Sequence, residues 1–263
     1  MLRAMRIALL MLLAATGVAA AQPAPAKLPE PVIILKAARM FDARAGKIVT
    51  PGAIVVQGDR IRAVGVKGST GPFSGQVTTV DLGDATLLPG FIDSHCHVTG
   101  EPSDDWKQDF IDDLRESPTE QALKSLDSLR RTLEAGFTVC RNLGAEELID
   151  VALRNSIAKG YVVGPRLVVA TWSLGTTGGH CDHTNGFPPG LLAKKVSDGV
   201  ADSPEGFRAL VRRNIKEGAD VIKVCATGGV LSRNADVDSP QLTQAELDAV
   251  SYTHLTLPTI LRV

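Results

Sequence analysis

From Phe91 to Ala226 the chain repeats one pattern: a short apolar run, then an amphipathic segment with its own start and stop signals. Ser117-Pro-Thr-Glu120 is a capping box with proline at the first helical position. It opens a helix that places Ala122, Leu126, Leu129 and Leu133 on one face and stops at Gly136. Phe137 to Asn142 reads as the second strand, Glu146 to Lys159 as the second helix ending at Gly160, and Arg166 to Ala170 as the third strand. Ser203-Pro-Glu205 starts a third helix that stops at Gly218, and Val221 to Ala226 reads as the fourth strand. Repeated strand-then-helix units imply a parallel sheet with right-handed crossovers. Four units are half of a (β/α)8 TIM barrel, whose chemistry sits at the C-terminal ends of the strands. An open doubly wound sheet is the competing α/β architecture, but no Gly-rich phosphate loop supports it.

Residues 32–88 follow a different regime, with short apolar runs separated by turns. Ala53 to Gln57 and Ile61 to Val66 flank Gly58-Asp59-Arg60, a hairpin signal, and the region reads as a small β-sandwich-like domain. Residues 89–250 then form the first half of the barrel. Ahead of both, Met1 to Arg6 is basic, Ile7 to Val18 apolar, and Ala19-Ala-Ala21 supplies small residues before a cleavage point. Residues 1–21 are therefore expected to be a signal peptide and 22–31 a Pro/Ala-rich linker. The expected destination is the periplasm or the exterior, with no stable membrane span after processing.

The far end changes character. Thr243 and Glu246 form another capping box, but Ser-Tyr-Thr-His-Leu-Thr-Leu-Pro-Thr259 interrupts the helical pattern. This segment resembles a translated transposon-end sequencing adapter. Residues 251–263 are accordingly set aside from the fold and His254 from the candidate ligands, and the reading frame is expected to continue past Val250.

A formal net charge of −1 leaves nothing basic enough to track a phosphate backbone, so nucleic acid is not an expected partner. Cys96, Cys140 and Cys225 lie within separate apolar runs and read as buried free thiols; the state of Cys181 stays open.

The chemistry concentrates in Leu88-Pro-Gly-Phe-Ile-Asp-Ser-His-Cys-His97. His95 and His97, two apart at a strand end, point to the same side and can grip one metal ion, although such a pair alone could be two unrelated surface histidines. Lys223 sits among Val221, Ile222, Val224 and Cys225, where an unpaired ammonium is costly. A neutral amine there could add carbon dioxide and become an anionic ligand with two oxygens; a lysine snorkelling to water is the plainer reading. The long loop from Trp172 to Asp202 carries Gly178-Gly-His-Cys-Asp-His183. His180 is the candidate substrate-binding residue. Cys181 and His183 lack a partner pair with zinc spacing, and water contact competes for His183. Arg141, at the end of the second strand, is either a structural charge or a substrate contact.

The segments "LLPGFIDSHCHV", "TLEAGFTVCRNLG", "GPRLVVA", "TTGGHCDH" and "VIKVCATGGVLSR" together resemble the metal-dependent amidohydrolase superfamily. The likeness covers most of residues 32–250 and is nearest the carboxylated-lysine branch with Xaa-Pro-dipeptidase-like and carboxypeptidase-like amide hydrolases. It implies His95 and His97 as metal ligands and Lys223, as a carbamate, bridging two divalent ions, zinc by expectation. It also implies hydrolysis of an amide in dipeptides or N-acyl amino acids by a hydroxide held between the two ions. Two further histidines and a catalytic aspartate of that pattern are absent, so this fragment is expected to be inactive by itself. A mononuclear deaminase or imidazolonepropionase-like cyclic-amide hydrolase is the alternative, against which Lys223 counts. A non-catalytic metal-binding protein is the second. The expected partner is a small-molecule or dipeptide substrate, and the edges of a half barrel allow a homo-oligomer.

Overall fold

The structure, a computed structural model, describes residues 30–65, 71–100, 103–188, 190–192, 199–230, 232 and 236–256. The signal-peptide segment, most of the linker and residues 257–263 lie outside the described residues. Contacts divide the chain into two compact units between Pro89 and Gly90.

The first unit is all β. Its strands are β1 (Val32–Ala37), β2 (Arg39–Asp42), β3 (Lys47–Val49), β4 (Gly52–Gln57), β5 (Arg60–Val64), β6 (Val77–Asp81) and β7 (Thr86–Leu87). One sheet has the order β5-β4-β1-β6 and the other β3-β2-β7. Alternation along β1 turns Val32 and Ile34 inward onto Val55 of β4, with Ala63 and Phe73 against them. The hairpin read from Gly58-Asp59-Arg60 is present, β4 and β5 pairing antiparallel across it. Arg39 binds β2 to the approach of β7, donating to Thr86 Oγ1 at 3.0 Å and pairing with Asp84 at 2.7 Å.

The second unit is α/β. It runs β8 (Phe91–Cys96), α1 (Trp106–Arg115), α2 (Pro118–Glu134), β9 (Phe137–Asn142), α3 (Ile149–Ala158), β10 (Arg166–Val169), α4 (Pro204–Glu217) and α5 (Gln244–Thr256). The three strands pair in parallel in the order β10-β9-β8, the opening of a TIM barrel. Leu129 of α2 and Leu153 of α3 bury their side chains against Cys140, Leu167 and Val169 of the sheet. Phe207 and Val211 of α4 pack with Leu174, Leu242 and Val250 of α5. The capping boxes at Ser117/Glu120 and Thr243/Glu246 both form, each hydroxyl accepting the backbone N–H three residues on at 3.3 Å. Among the described residues no helix is long and apolar enough to cross a membrane.

Two expectations need correction, one helix is not anticipated, and one runs further than its start signals require. The fourth strand is not a continuous ladder: between Val221 and Ala226 only Val224 bridges, in parallel, to Leu174. The cause lies in its neighbour. The third strand breaks at Thr171, held at φ 58°, and resumes at Leu174, so the intervening rungs are skipped. Asp220 and Val221 donate to Val169 O, and Cys225 to Leu174 O, on either side of that break. The second helix begins at Ile149 rather than Glu146, because Glu147 and Leu148 adopt left-handed backbone before it. A helix unread in the sequence, α1, is capped by Asp105, which accepts from Lys107 N and Gln108 N. Finally, α5 runs past Val250. It continues to Thr256 with Thr253 buried, since no helix-breaking residue occurs before Pro258.

Candidate active site

His95, His97, His180 and Lys223, singled out at three separate points of the sequence, line one cavity of about 370 Å³ in the second unit. His95 ends the exposed face of β8, and His97 follows the strand by one residue. Their ring centroids are 5.4 Å apart. The ladder between β8 and β9 is irregular from Asp93 to Cys96, a bulge-like step of the kind that re-aims side chains. Cys96, between the two histidines, turns to the helix-covered side. Burial first, then Cys140 and Asp93, push its thiol up to about 12, which keeps it a neutral core group.

Burial, reinforced by His95, holds His97 below its ordinary pKa, so the imidazole stays neutral and its nitrogen lone pair is available. The Gly144 backbone lies against the ring, where a Cβ would fall 3.6 Å from His97 Cε1. Lys223, half-buried, likewise sits below the usual lysine range, through burial and then the Arg141 guanidinium. Both causes favour the free amine. Arg141 donates Nε–H to Ser94 O at 2.6 Å, tying β9 to β8, and so acts as a structural charge that also influences Lys223.

The 172–202 loop is shaped by its own polar groups. Asp182 accepts from Gly178 N at 2.9 Å and from Thr184 N and Oγ1, and Asp202 accepts from Thr177 N and Oγ1. Gln241 Oε1 accepts the His180 backbone N–H, and Ser232 Oγ meets His180 Nδ1. Gly229 faces the His180 ring so closely that a Cβ there would collide with it. Burial, then Lys223, lower the His180 pKa. Cys225, expected as a free thiol, is joined instead to Cys181 in a disulfide that fastens this loop to the Lys223 segment. Local sequence could not show that pairing: it depends on the bridges Leu174–Val224 and Gly175–Val200, which lay the loop beside the strand. Cys96 and Cys140 are free. His183 is exposed but lines the cavity, and so do Asp113, Glu146 and Trp172, none of them marked as site residues by the sequence. Asp113 arrives on α1; the only sequence signal for it was the Asp105 cap.

The donor set suits a divalent cation. It consists of the imidazoles of His95 and His97 and an amine whose surroundings disfavour the ammonium form. It is a partial set: among the described residues no three His, Cys, Asp or Glu side chains gather around one point.

Residues 86–253 match the family described as the Amidohydrolase family. Ochratoxinase of Aspergillus niger is 30% identical over 177 residues, which is 62% of this chain and 36% of that protein. A prolidase structure complexed with N-methylphosphonate-L-proline superposes with a TM-score of 0.69 at 27% identity, covering 84% of this chain and 53% of the other. A Xaa-Pro dipeptidase with bound methionine in its active site gives 0.67 at 29% identity, with 84% and 53% covered. The chain thus spans about a third of the length of its curated relative and about half that of the solved ones.

Proposed function

This chain belongs to the amidohydrolase family, and from that premise we propose that the whole protein hydrolyses a carbon–nitrogen amide bond in dipeptides or N-acyl amino acids. One observation carries the reading: the HxH pair, Lys223 and His180 meet on one cavity at the C-terminal ends of parallel strands. The printed names of the relatives, an ochratoxinase, a prolidase and a Xaa-Pro dipeptidase, agree with an amide substrate.

Members of this family are generally metal-dependent. In this chain His95 and His97 would hold one divalent ion and Lys223, once carboxylated, would serve two, zinc being the expected metal. Such ions polarise the amide carbonyl and lower the pKa of a water toward about 7. The chain's own residues prepare this chemistry. The Lys223 amine adds its lone pair to the carbon of carbon dioxide and loses a proton, becoming a carbamate anion with two oxygen donors. Burial and Arg141 assist by raising the fraction of free amine. His97, kept neutral by burial, offers a ring nitrogen to the metal. When Ser232 donates to His180 Nδ1, the His180 proton sits on Nε2 and is available to a substrate carboxylate. Trp172, Leu143 and Ile149 give the cavity apolar wall for the substrate side chain. An exported location fits the N-terminal pattern, and the Cys181–Cys225 disulfide suits an oxidising compartment.

The test is hydrolysis of a panel of dipeptides and N-acyl amino acids by the metal-loaded whole protein, followed as release of free amino acid. Lys223→Ala should abolish turnover and short-chain carboxylic acids should partly restore it, because they lend two oxygens to the same gap. Lys223→Arg should not respond to them, since a guanidinium has no acceptor. Release of ammonia from cyclic or amino-substituted rings, with no amino acid released from the panel, would favour the mononuclear alternative and overturn this reading.

A further inference from the structure

The loop that carries His180 and the segment that carries Lys223 lie far apart in the chain and are joined at two levels. At the root of the loop, Leu174 N–H donates to Lys223 O at 2.9 Å and Cys225 N–H to Leu174 O at 2.8 Å. The tip, residues 178–185, is bonded largely to itself. Asn185 Nδ2 donates to Gly179 O at 2.7 Å, and Asp182 accepts from Gly178 and Thr184. From that tip toward the Lys223 segment run the Cys181–Cys225 disulfide and the bond from His180 N–H to Gln241 Oε1, at 2.9 Å. Gln241 is in turn held by that segment, its N–H donating to Ala226 O at 2.8 Å. The covalent link and the hydrogen-bonded one therefore converge on neighbouring residues, 225 and 226.

The disulfide also stands at the site itself. Cys181 directly follows His180, Cys225 is two residues from Lys223, and both half-cystines line the cavity with them. Gly175 leaves room for the bond: a Cβ there would lie 2.9 Å from Cys181 Cβ. Both half-cystines are buried, at 7% and 5% exposure, but the cavity gives a small dithiol a way to them. The free cysteines, Cys96 and Cys140, belong instead to the core under the helices.

We propose that the Cys181–Cys225 disulfide is a redox-sensitive strap on the substrate end of this site: intact, it holds His180 at the cavity, and reduced by a dithiol, it lets the loop tip go and weakens substrate binding. The consequence for substrate rests on the amide-hydrolysis reading; the strap itself does not. In the exchange, one sulfur of the dithiol attacks a cystine sulfur, forming a mixed disulfide and releasing the other cysteine. The second sulfur of the dithiol then displaces the first. Two electrons and two protons pass to the protein, which ends with two thiols, and the dithiol ends as a disulfide. An anchor that grips the substrate carboxylate acts on ground state and transition state alike, so its loss raises KM and leaves kcat.

The experiment compares the metal-loaded whole protein, oxidised, with the same protein reduced by dithiothreitol, freed of the reductant without air and reloaded with zinc. Reduction should speed amide hydrogen exchange at His180 to Asp182 about tenfold. On the dipeptides and N-acyl amino acids that the oxidised protein hydrolyses, it should raise KM about tenfold, as loss of a hydrogen bond to a charged group does, with kcat kept. Cys181→Ser should match the reduced protein and no longer respond to dithiothreitol; the reduced wild type carries the test if that variant fails to fold. Four free thiols in the oxidised protein would overturn the proposal, as would unchanged exchange after full reduction. A fall in kcat at constant KM would also overturn it, since the bond would then serve the Lys223 side. So would a dithiothreitol response that persists in Cys181→Ser, because Cys96 or Cys140 would be its source. If the oxidised protein hydrolyses no member of the panel, the amide-hydrolysis reading fails alone, and the exchange measurement still decides the strap.

Discussion

The two faces of the parallel sheet in the second unit are built on opposite terms. The outer face carries Cys140, Leu167 and Val169 under Leu129 and Leu153, buried by the ordinary gain from removing apolar surface from water. The face turned away from the helices carries His95 and Arg141, both exposed, and half-buried Lys223 stands on the adjoining segment. Polar and cationic side chains there have little apolar surface to bury. The comparison teaches that the outer face sets stability and the other face sets chemistry, and that the alternation of a strand keeps them apart at a spacing of one residue.

That division can be broken by variants on each side. Leu129→Ala, at a fully buried position, should cost about 2–5 kcal/mol in denaturant unfolding while the folded fraction keeps its metal per molecule. His95→Ala should do the reverse, emptying the site while leaving unfolding within about 0.5 kcal/mol. A strongly destabilised His95→Ala protein would show that the two faces are not independent. Ser117→Ala removes the hydroxyl that accepts Glu120 N–H at the start of α2, and should cost about 1 kcal/mol with no change in metal content.

The smallest effect belongs to Asp150, which sits between the two regimes. Burial, only partly offset by N–H bonds from Thr171 and Val151, raises its carboxyl above the usual 3.8. A carboxyl raised on folding stabilises below its unfolded pKa, and that contribution is lost as pH rises through the folded value. Asp150→Asn does not titrate. Its stability relative to wild type should therefore improve as pH is raised from about 3.5 to 7. A relative loss over that window would show that the hydrogen bonds, not burial, dominate.

What the sequence makes legible follows the same line. The outer face could be read because Ala122, Leu126, Leu129 and Leu133 repeat at helical spacing and Ser117, Ser203 and Thr243 announce their helices. His95, His97, His180 and Lys223 could be read because each is a residue type that its local setting does not explain. The failures come from backbone conformations without a sequence marker and from contacts between distant residues. The strand break at Thr171 comes from a backbone conformation with no glycine to signal it. The Cys181–Cys225 pairing joins residues 44 apart. Asp113 reaches the cavity on a helix whose cap, Asp105, stands among other acidic residues. Asn142 looks like an ordinary strand-end polar residue until its two partners, Val98 and Gly144, are seen on either side of His97.

The most direct test of the central claim is an anomalous-scattering crystal structure of the zinc-loaded whole protein. The account predicts metal about 2.0–2.1 Å from nitrogens of both His95 and His97. It also predicts density for a carboxylate added to Lys223 Nζ, with its oxygens on two ions. Metal elsewhere, or an unmodified Lys223 facing water beside an empty histidine pair, would contradict it.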